Sequence, residues 1–305
     1  MKKHTLISLS IYFLLLYSAY SAKFLKSNYG ITPTKPLSSY HNSTHINIYI
    51  SPHTHNDIGW LKKIDEYYYG TRRDVQGGGG VQYILDDIVS ELHRDPKKKF
   101  IYVEIGFFKR WWNEQDDDTK NLVKTLIGNG QLQFINGGYC MNDEATVYYE
   151  DSIDQMTMGH QFLLQTLNVI PQIGWHIDPF GHAAAQAALF AQMGFQAFFF
   201  ARIDYQDKEN RLKNSAMEMM WVPQTSKGNE SAIFTVINYA GYDPPLGFEF
   251  DMYTKYDAIK HDPSLRGYNL PEYADNFTAY FRQQSQSYRT TEIFHTLGGD
   301  FAFQD

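Results

Sequence analysis

Residues Ser51 to Trp60 read SPHTHNDIGW and place His53, His55 and Asp57 at alternate positions. Side chains two apart on a strand share a face, so the three can point to one spot. Imidazole nitrogen and carboxylate oxygen both suit Zn²⁺ at about 2.0–2.2 Å. The spacing alone also fits a hydrogen-bonded polar group at a strand end, and the chain carries no HExxH or cysteine-based zinc signature. A second stretch, GWHIDPFGH, carries His176, Asp178 and His182, and Pro179 with Gly181 forces a tight turn that presents Asp178. That carboxylate could be a nucleophile, a third metal ligand, or the N-cap of a helix beginning near Ala183. Asp300 follows Gly298-Gly299 as a second carboxylate on a tight backbone. Two carboxylates facing across a sugar are the machinery of glycoside hydrolysis. Arg202 could hold one of them ionised by bidentate pairing, or form an ion pair with Asp204.

These residues need a scaffold that delivers them to one rim. Ile46 to Ile50 alternates like a strand. Glycines 77–80 break the chain, and Val81, Ile84, Leu85, Ile88, Val89 and Leu92 then fall at helical spacing until Pro96. KFIYVEIGF (Lys99–Phe107) reads as a buried strand, and Asp116 to Ile127 as a helix with acidic residues at its positive end. QLQFINGGY is a strand running into a glycine turn, and a long helix is expected over Ser152 to Leu167. IGWHID, a helix over Ala183 to Met193 capped by Gly194, and QAFFFAR form another strand–helix–strand unit; IFHTLGGDF reads as a last strand. This alternation predicts an α/β domain with a parallel sheet. Ligands in such sheets sit at the carboxyl ends of strands. There the sequence collects His53, His55, Asp57, Asn142, Asp143, Glu144, His176, Asp178, His182, Arg202, Asp204 and Asp300.

The 305 residues are enough to bury a sizeable core, and a hydrophobic fraction of 43 % places the bulk among globular chains. A net charge of −7 and the lack of a basic, aromatic-laced patch exclude nucleic acid as an expected partner. Lys2 and Lys3, the apolar run from Leu6 to Tyr17 and the small residues ending at Ala22 read as a secretory signal cleaved after Ser21. The run is too short for a stable membrane span. Residues 22–45 form an irregular lead-in, and 46–305 the α/β domain. Sequons at Asn42, Asn229 and Asn276 agree with the secretory route. A lone cysteine, Cys140, permits no internal disulfide and is read as a packing residue.

The stretches PHTHNDIGW, NGGYCMNDEATVYYEDSIDQMTMG, GWHIDPFGH and LFAQMGFQAFFFARIDYQDK, in this order, resemble the catalytic-domain motifs of glycoside hydrolase family 38 α-mannosidases, in their lysosomal branch. The resemblance runs from about Ile46 to the last residue. It implies a seven-stranded α/β catalytic domain, here an incomplete barrel-like sheet, performing zinc-dependent retaining hydrolysis of terminal α-mannose on N-linked glycans and oligomannosides. It implies one Zn²⁺ per chain on His55, Asp57 and Asp178, with a fourth histidine ligand downstream of Asp305. It assigns Asp178 as nucleophile and Asp300 as general acid/base. Trp60, Phe180, Arg202 and Tyr242 would line the sugar pocket, and His53 would stand behind the ligands. A lysosomal, vacuolar or secreted location follows. Two features depart from the family pattern. The chain ends right after Asp300, before the fourth histidine and the later helical and β-rich domains. Ala183, Ala184 and Ala185 replace a polar Ser-Arg-Glu run. A catalytically inactive, sugar-binding remnant is the alternative reading, and a different zinc hydrolase such as a polysaccharide deacetylase is a third.

Overall fold

The computed structural model describes residues 45–77, 79–250 and 255–304. The signal segment, nearly all of the lead-in and the Asn42 sequon lie outside the described residues. Eight strands and eight α-helices follow in chain order: β1 (Asn47–His55), α1 (Ile64–Tyr69), α2 (Val81–Arg94), β2 (Phe100–Tyr102), α3 (Ile105–Glu114), α4 (Asp117–Gly128), β3 (Leu132–Phe134), α5 (Tyr149–Leu167), β4 (Ile173–His176), α6 (Ala184–Gln192), β5 (Ala197–Phe200), α7 (Tyr205–Lys213), β6 (Glu218–Trp221), β7 (Ile233–Ile237), α8 (Leu270–Ser285) and β8 (Glu292–Asp300). Among the described residues no helix is long and apolar enough to cross a membrane.

The strands form two four-stranded sheets, β3-β2-β1-β8 and β4-β5-β7-β6. Among the described residues seven strands are parallel and β6 alone runs antiparallel, against β7. The expected seven parallel strands are present, and β6 adds an eighth at an edge. Asn136 couples the two sheets: its N–H donates to the Ile173 carbonyl at 2.7 Å and its Oδ1 accepts from the Trp175 N–H at 3.2 Å.

Strand alternation sends side chains to two sides. Ile101, Ile135, Ile173, Trp175, Ala197, Phe199, Phe234 and Val236 meet in one cluster, joined by Tyr49 and Phe294, the inside of the barrel-like wall. The intervening residues Phe198, Phe200, Ile233, Ile237 and Ile293 pack outward in a second cluster with Phe190 of α6 and Phe281 of α8. Phe100, Tyr102, Leu132 and Phe134 do the same against α2, α3 and α4. All six apolar residues of the α2 stripe are buried, each contributing roughly 1.5–3 kcal/mol. Asp116 caps α4, its side chain accepting from the Thr119 N–H at 2.8 Å.

One sequence expectation fails. The strand expected over Lys99–Phe107 ends at Tyr102, and α3 begins at Ile105. The continuous apolar run conceals a helical stripe of Ile105, Phe108, Trp111 and Trp112, which the buried side of α3 uses. Helices α1, α7 and α8 and strands β6 and β7, which the sequence reading leaves unassigned, complete the wall.

The pairing of β1 with β8 positions the chemistry. The two strands run in register from Asn47 opposite Glu292 to His55 opposite Asp300. Close approach requires Gly298, where an added Cβ would lie 1.8 Å from the His53 carbonyl oxygen. Gly298→Ala must therefore part the two strands. We expect a loss at or above the top of the ~1–3 kcal/mol range for overpacking, read as a lowered urea midpoint at unchanged m-value. A midpoint equal to the parent's would contradict this packing.

Candidate active site

The first rim group comes from the end of β1. His55 is buried, at 3 % exposure, and its Nε2 lies 3.3 Å from Asp57 Oδ1 and 3.6 Å from Asp178 Oδ2. Ligand-capable atoms of His55, Asp57 and Asp178 all fall within 4.8 Å of one another. Among the described residues, both His55 nitrogens lack a hydrogen-bond partner. Burial would strip a proton from this ring, yet Asp178, Asp57 and Glu104 together hold its proton affinity well above the usual histidine range. A field that holds a proton so firmly also suits a dication, and one histidine with two carboxylates is a borderline-hard donor set of the kind zinc accepts. The residues fit a zinc ion.

His53 stays out of this cluster. It is fully buried, and its Nε2–H donates to the Tyr242 carbonyl at 2.8 Å. Burial pushes it down to about 4, so it is neutral and fixes the Tyr242 backbone. Gly59, with φ +86°, turns the chain beyond Asp57 and leaves Trp60 58 % exposed.

Asp178 follows β4. It does not cap α6; Ala183 occupies the N-cap position, and its N–H is satisfied by Glu144 Oε2 at 2.8 Å. Instead the Arg202 guanidinium grips Asp178 Oδ1 through Nε at 3.0 Å and through Nη2. Asp204, the other partner considered for Arg202, caps α7 through the Gln206 and Asp207 N–H groups. Burial alone would raise the Asp178 carboxyl, but His55 and Arg202 outweigh it and hold it down at about 2. Arg202 also stacks over the Phe180 ring at 4.2 Å, with Phe180 itself 77 % exposed.

The Tyr242 hydroxyl lies 3.1 Å from Asp178 Oδ1 and 2.9 Å from Asp300 Oδ1. Two bonds meeting at one oxygen keep those carboxylate atoms no farther apart than about 6 Å. Withdrawal from water, with the charges of Asp178 and Asp57, pushes Asp300 up against the opposing pull of His55 and Tyr242. One carboxyl is thus held ionised and its neighbour is biased toward the protonated form. A cleft of about 640 Å³ opens beside Asp300, lined by Asp243, Phe248, Phe250 and Phe301 among others.

All eight residues singled out as ligands, catalysts or pocket walls lie at strand ends or on the loops that follow them, and seven of them are linked by the contacts above, all but Trp60. His176 and His182 serve differently. Both Nδ1 atoms bond Glu144 Oε1, at 2.7 and 2.8 Å, and His182 Nε2 reaches the Arg202 carbonyl at 3.0 Å. Burial would raise Glu144, but the two histidines bring it down to about 2. Glu144 ties the loop after β3, the turn after β4 and Arg202 into one frame. Asp143 accepts from the Thr146 N–H and hydroxyl, and Asn142 donates to Gln186 at 3.2 Å. Of the alanine departure, Ala184 and Ala185 fall on an exposed face of α6, and Ala183 is its half-buried N-cap. Cys140 is half-buried, its thiol pushed up by burial to about 11. Asn229 and Asn276 of the two described sequons are exposed.

Glu104 is the residue that sequence reasoning missed. It is 1 % exposed, at the N-cap position of α3, 3.5 Å from His55 Nδ1. The helical stripe beginning at Ile105 was the available signal.

The description "Glycosyl hydrolases family 38 N-terminal domain" matches residues 45–305. The chain is 50 % identical to the lysosomal alpha-mannosidase of Dictyostelium discoideum over 90 % of its own length and 26 % of that protein's. It is 43 % identical to the lysosomal alpha-mannosidase of Homo sapiens over 96 % of its length and 28 % of the relative's. It thus spans about a quarter of these relatives. The crystal structure of an alpha-mannosidase from Enterococcus faecalis V583 superimposes with a TM-score of 0.59 at 17 % identity, covering 85 % of this chain and 25 % of that one, a likeness of fold. Motif order, strand-end geometry and matched length agree: the chain belongs to glycosyl hydrolase family 38 and carries that family's N-terminal domain.

Proposed function

We propose that this domain holds the catalytic centre of a zinc-dependent, retaining α-mannosidase acting on terminal mannose of N-linked glycans and oligomannosides. The observation that carries the reading is the pair of unlike carboxyls bridged by Tyr242: Asp178 held down at about 2, Asp300 pushed up. The bound of about 6 Å between two of their oxygens is compatible with the ~5–5.5 Å carboxyl separation of retaining enzymes.

His55, Asp57 and Asp178 would hold the zinc. When bound, the metal supplies a Lewis acid for sugar hydroxyls and favours a distorted ring. Arg202 keeps Asp178 anionic and fixes its attacking oxygen. Asp178 attacks the anomeric carbon while Asp300 gives its proton to the leaving oxygen; Asp300 then takes a proton from water as the sugar is released. Tyr242 has one hydroxyl proton and sits between both carboxyls, so it can donate to whichever is ionised at each stage. Exposed Trp60 and Phe180 offer apolar faces for the sugar ring. The names of the relatives and the N-terminal signal agree with a lysosomal, vacuolar or secreted enzyme.

The test uses the natural full-length protein. It is expected to release mannose from an aryl α-mannoside with the α anomer formed first by NMR, and not to cleave the matching α-glucoside. Chelation should remove activity and zinc should restore it. No mannose release by the zinc-replete protein would overturn the proposal, and a β product would overturn its retaining course.

A further inference from the structure

We infer that Glu104 is a positioning residue for the metal centre, fixing His55 in the tautomer that leaves Nε2 free as a ligand. The inference rests on the metal reading above and extends it to a carboxylate outside the ligand cluster.

Three observations converge on it. Glu104 and His55 are 1 % and 3 % exposed and face each other, Oε1 to Nδ1, at 3.5 Å. Among the described residues, neither Glu104 oxygen and neither His55 nitrogen has a hydrogen-bond partner. A buried carboxylate is strongly disfavoured unless something donates to it. Second, Glu104 sits at the N-cap position of α3 but makes no side-chain cap bond. An N-cap carboxylate normally satisfies its own helix; this one turns to the histidine instead. Third, the backbone around it is pinned. Ile105 and Gly106 N–H groups donate to the Gly138 and Tyr139 carbonyls at 3.0 and 2.9 Å. A Cβ on Gly106 would fall 2.5 Å from Ile58 and 2.7 Å from the Tyr139 ring. The α3 terminus is therefore pressed against the loop that carries Asp57 and cannot drift.

The His55 ring has two nitrogens and two kinds of neighbour. Nδ1 faces Glu104, and Nε2 faces Asp57 and Asp178. Nδ1 is the nitrogen that faces Glu104, so a hydrogen bond from the ring to that carboxylate leaves from Nδ1. Nε2 is then the bare nitrogen, aimed where the other two candidate ligands converge. Carboxylates that hold the far nitrogen of a ligating histidine orient the ring and raise its basicity.

The experiment measures zinc affinity of the natural full-length protein by competition with a chelating indicator. Glu104→Gln keeps shape and removes charge, and we expect about 10- to 100-fold weaker binding, with turnover recovering as zinc is raised. Affinity within twofold of the parent, in a variant that melts like the parent, would overturn the role of Glu104 and leave the metal reading intact. A parent that binds no stoichiometric zinc would overturn both. If the variant does not fold, ¹⁵N-histidine NMR of the zinc-loaded parent decides: a proton on His55 Nδ1 is expected, and a proton on Nε2 overturns the inference.

Discussion

Asp178→Asn in the natural full-length protein is expected to lower kcat by at least about 10⁴-fold, because it removes the proposed nucleophile, and to weaken zinc binding in the same molecule. The two effects share one cause. Asp178 offers Oδ1 to Arg202 and Tyr242 and Oδ2 to the side of His55. Asparagine has nearly the same shape but no charge and one fewer acceptor. Its amide would set N–H donors against the Arg202 guanidinium or against the ligand cluster, so one of the two must lose a partner. Zinc affinity by chelator competition and turnover on an aryl α-mannoside report the two roles separately. Unchanged turnover would sink the nucleophile assignment. Lost turnover with parental zinc affinity would keep the nucleophile and remove Asp178 from the ligand set.

How far the site could be read from sequence depends on how local each role is. His55 and Asp57 are legible because period-two alternation on β1 fixes their shared face. The exposure of Asp178 on a turn is legible from Pro179 and Gly181. What Arg202 grips is not: Asp178 and Asp204 are both plausible from spacing, and the choice is made by β4 and β5 lying side by side from Ile173 opposite Ala197 to His176 opposite Phe200. Tyr242 entered only through the family resemblance, since nothing near it in sequence marks a residue that touches two carboxyls. The role of Glu104 needed a helix start that the apolar run over Lys99–Phe107 disguised, plus the approach of α3 to the loop after β1. Glu144 was collected at the rim, but its grip on two histidines and the α6 terminus spans 32 to 39 residues of chain. Periodicity specifies strands and helices. Long-range pairing decides which polar groups answer one another.

Asp300→Ala is expected to separate the two halves of the reaction. General acid catalysis contributes about 10²–10⁴-fold, but only where the leaving oxygen needs a proton. A dinitrophenyl α-mannoside, whose phenolate leaves unaided, should therefore form the glycosyl-enzyme at near-parental rate, while an alkyl mannoside loses most of its turnover. Breakdown of that intermediate should be slow, because no base remains to activate water. Azide needs no base; it should restore turnover and give α-mannosyl azide. The pH profile follows the same proton. In the parent, Asp178 must be ionised, which holds above about 2, and Asp300 must be protonated, which holds below its raised value. kcat/KM should thus hold between the Asp178 and Asp300 titrations and fall as pH rises through the Asp300 titration. In the variant that basic limb should vanish, since the group that causes it is gone. Equal losses for both leaving groups with no azide effect would remove Asp300 from the acid role. A β-mannosyl azide would show direct displacement at the anomeric carbon and end the retaining assignment.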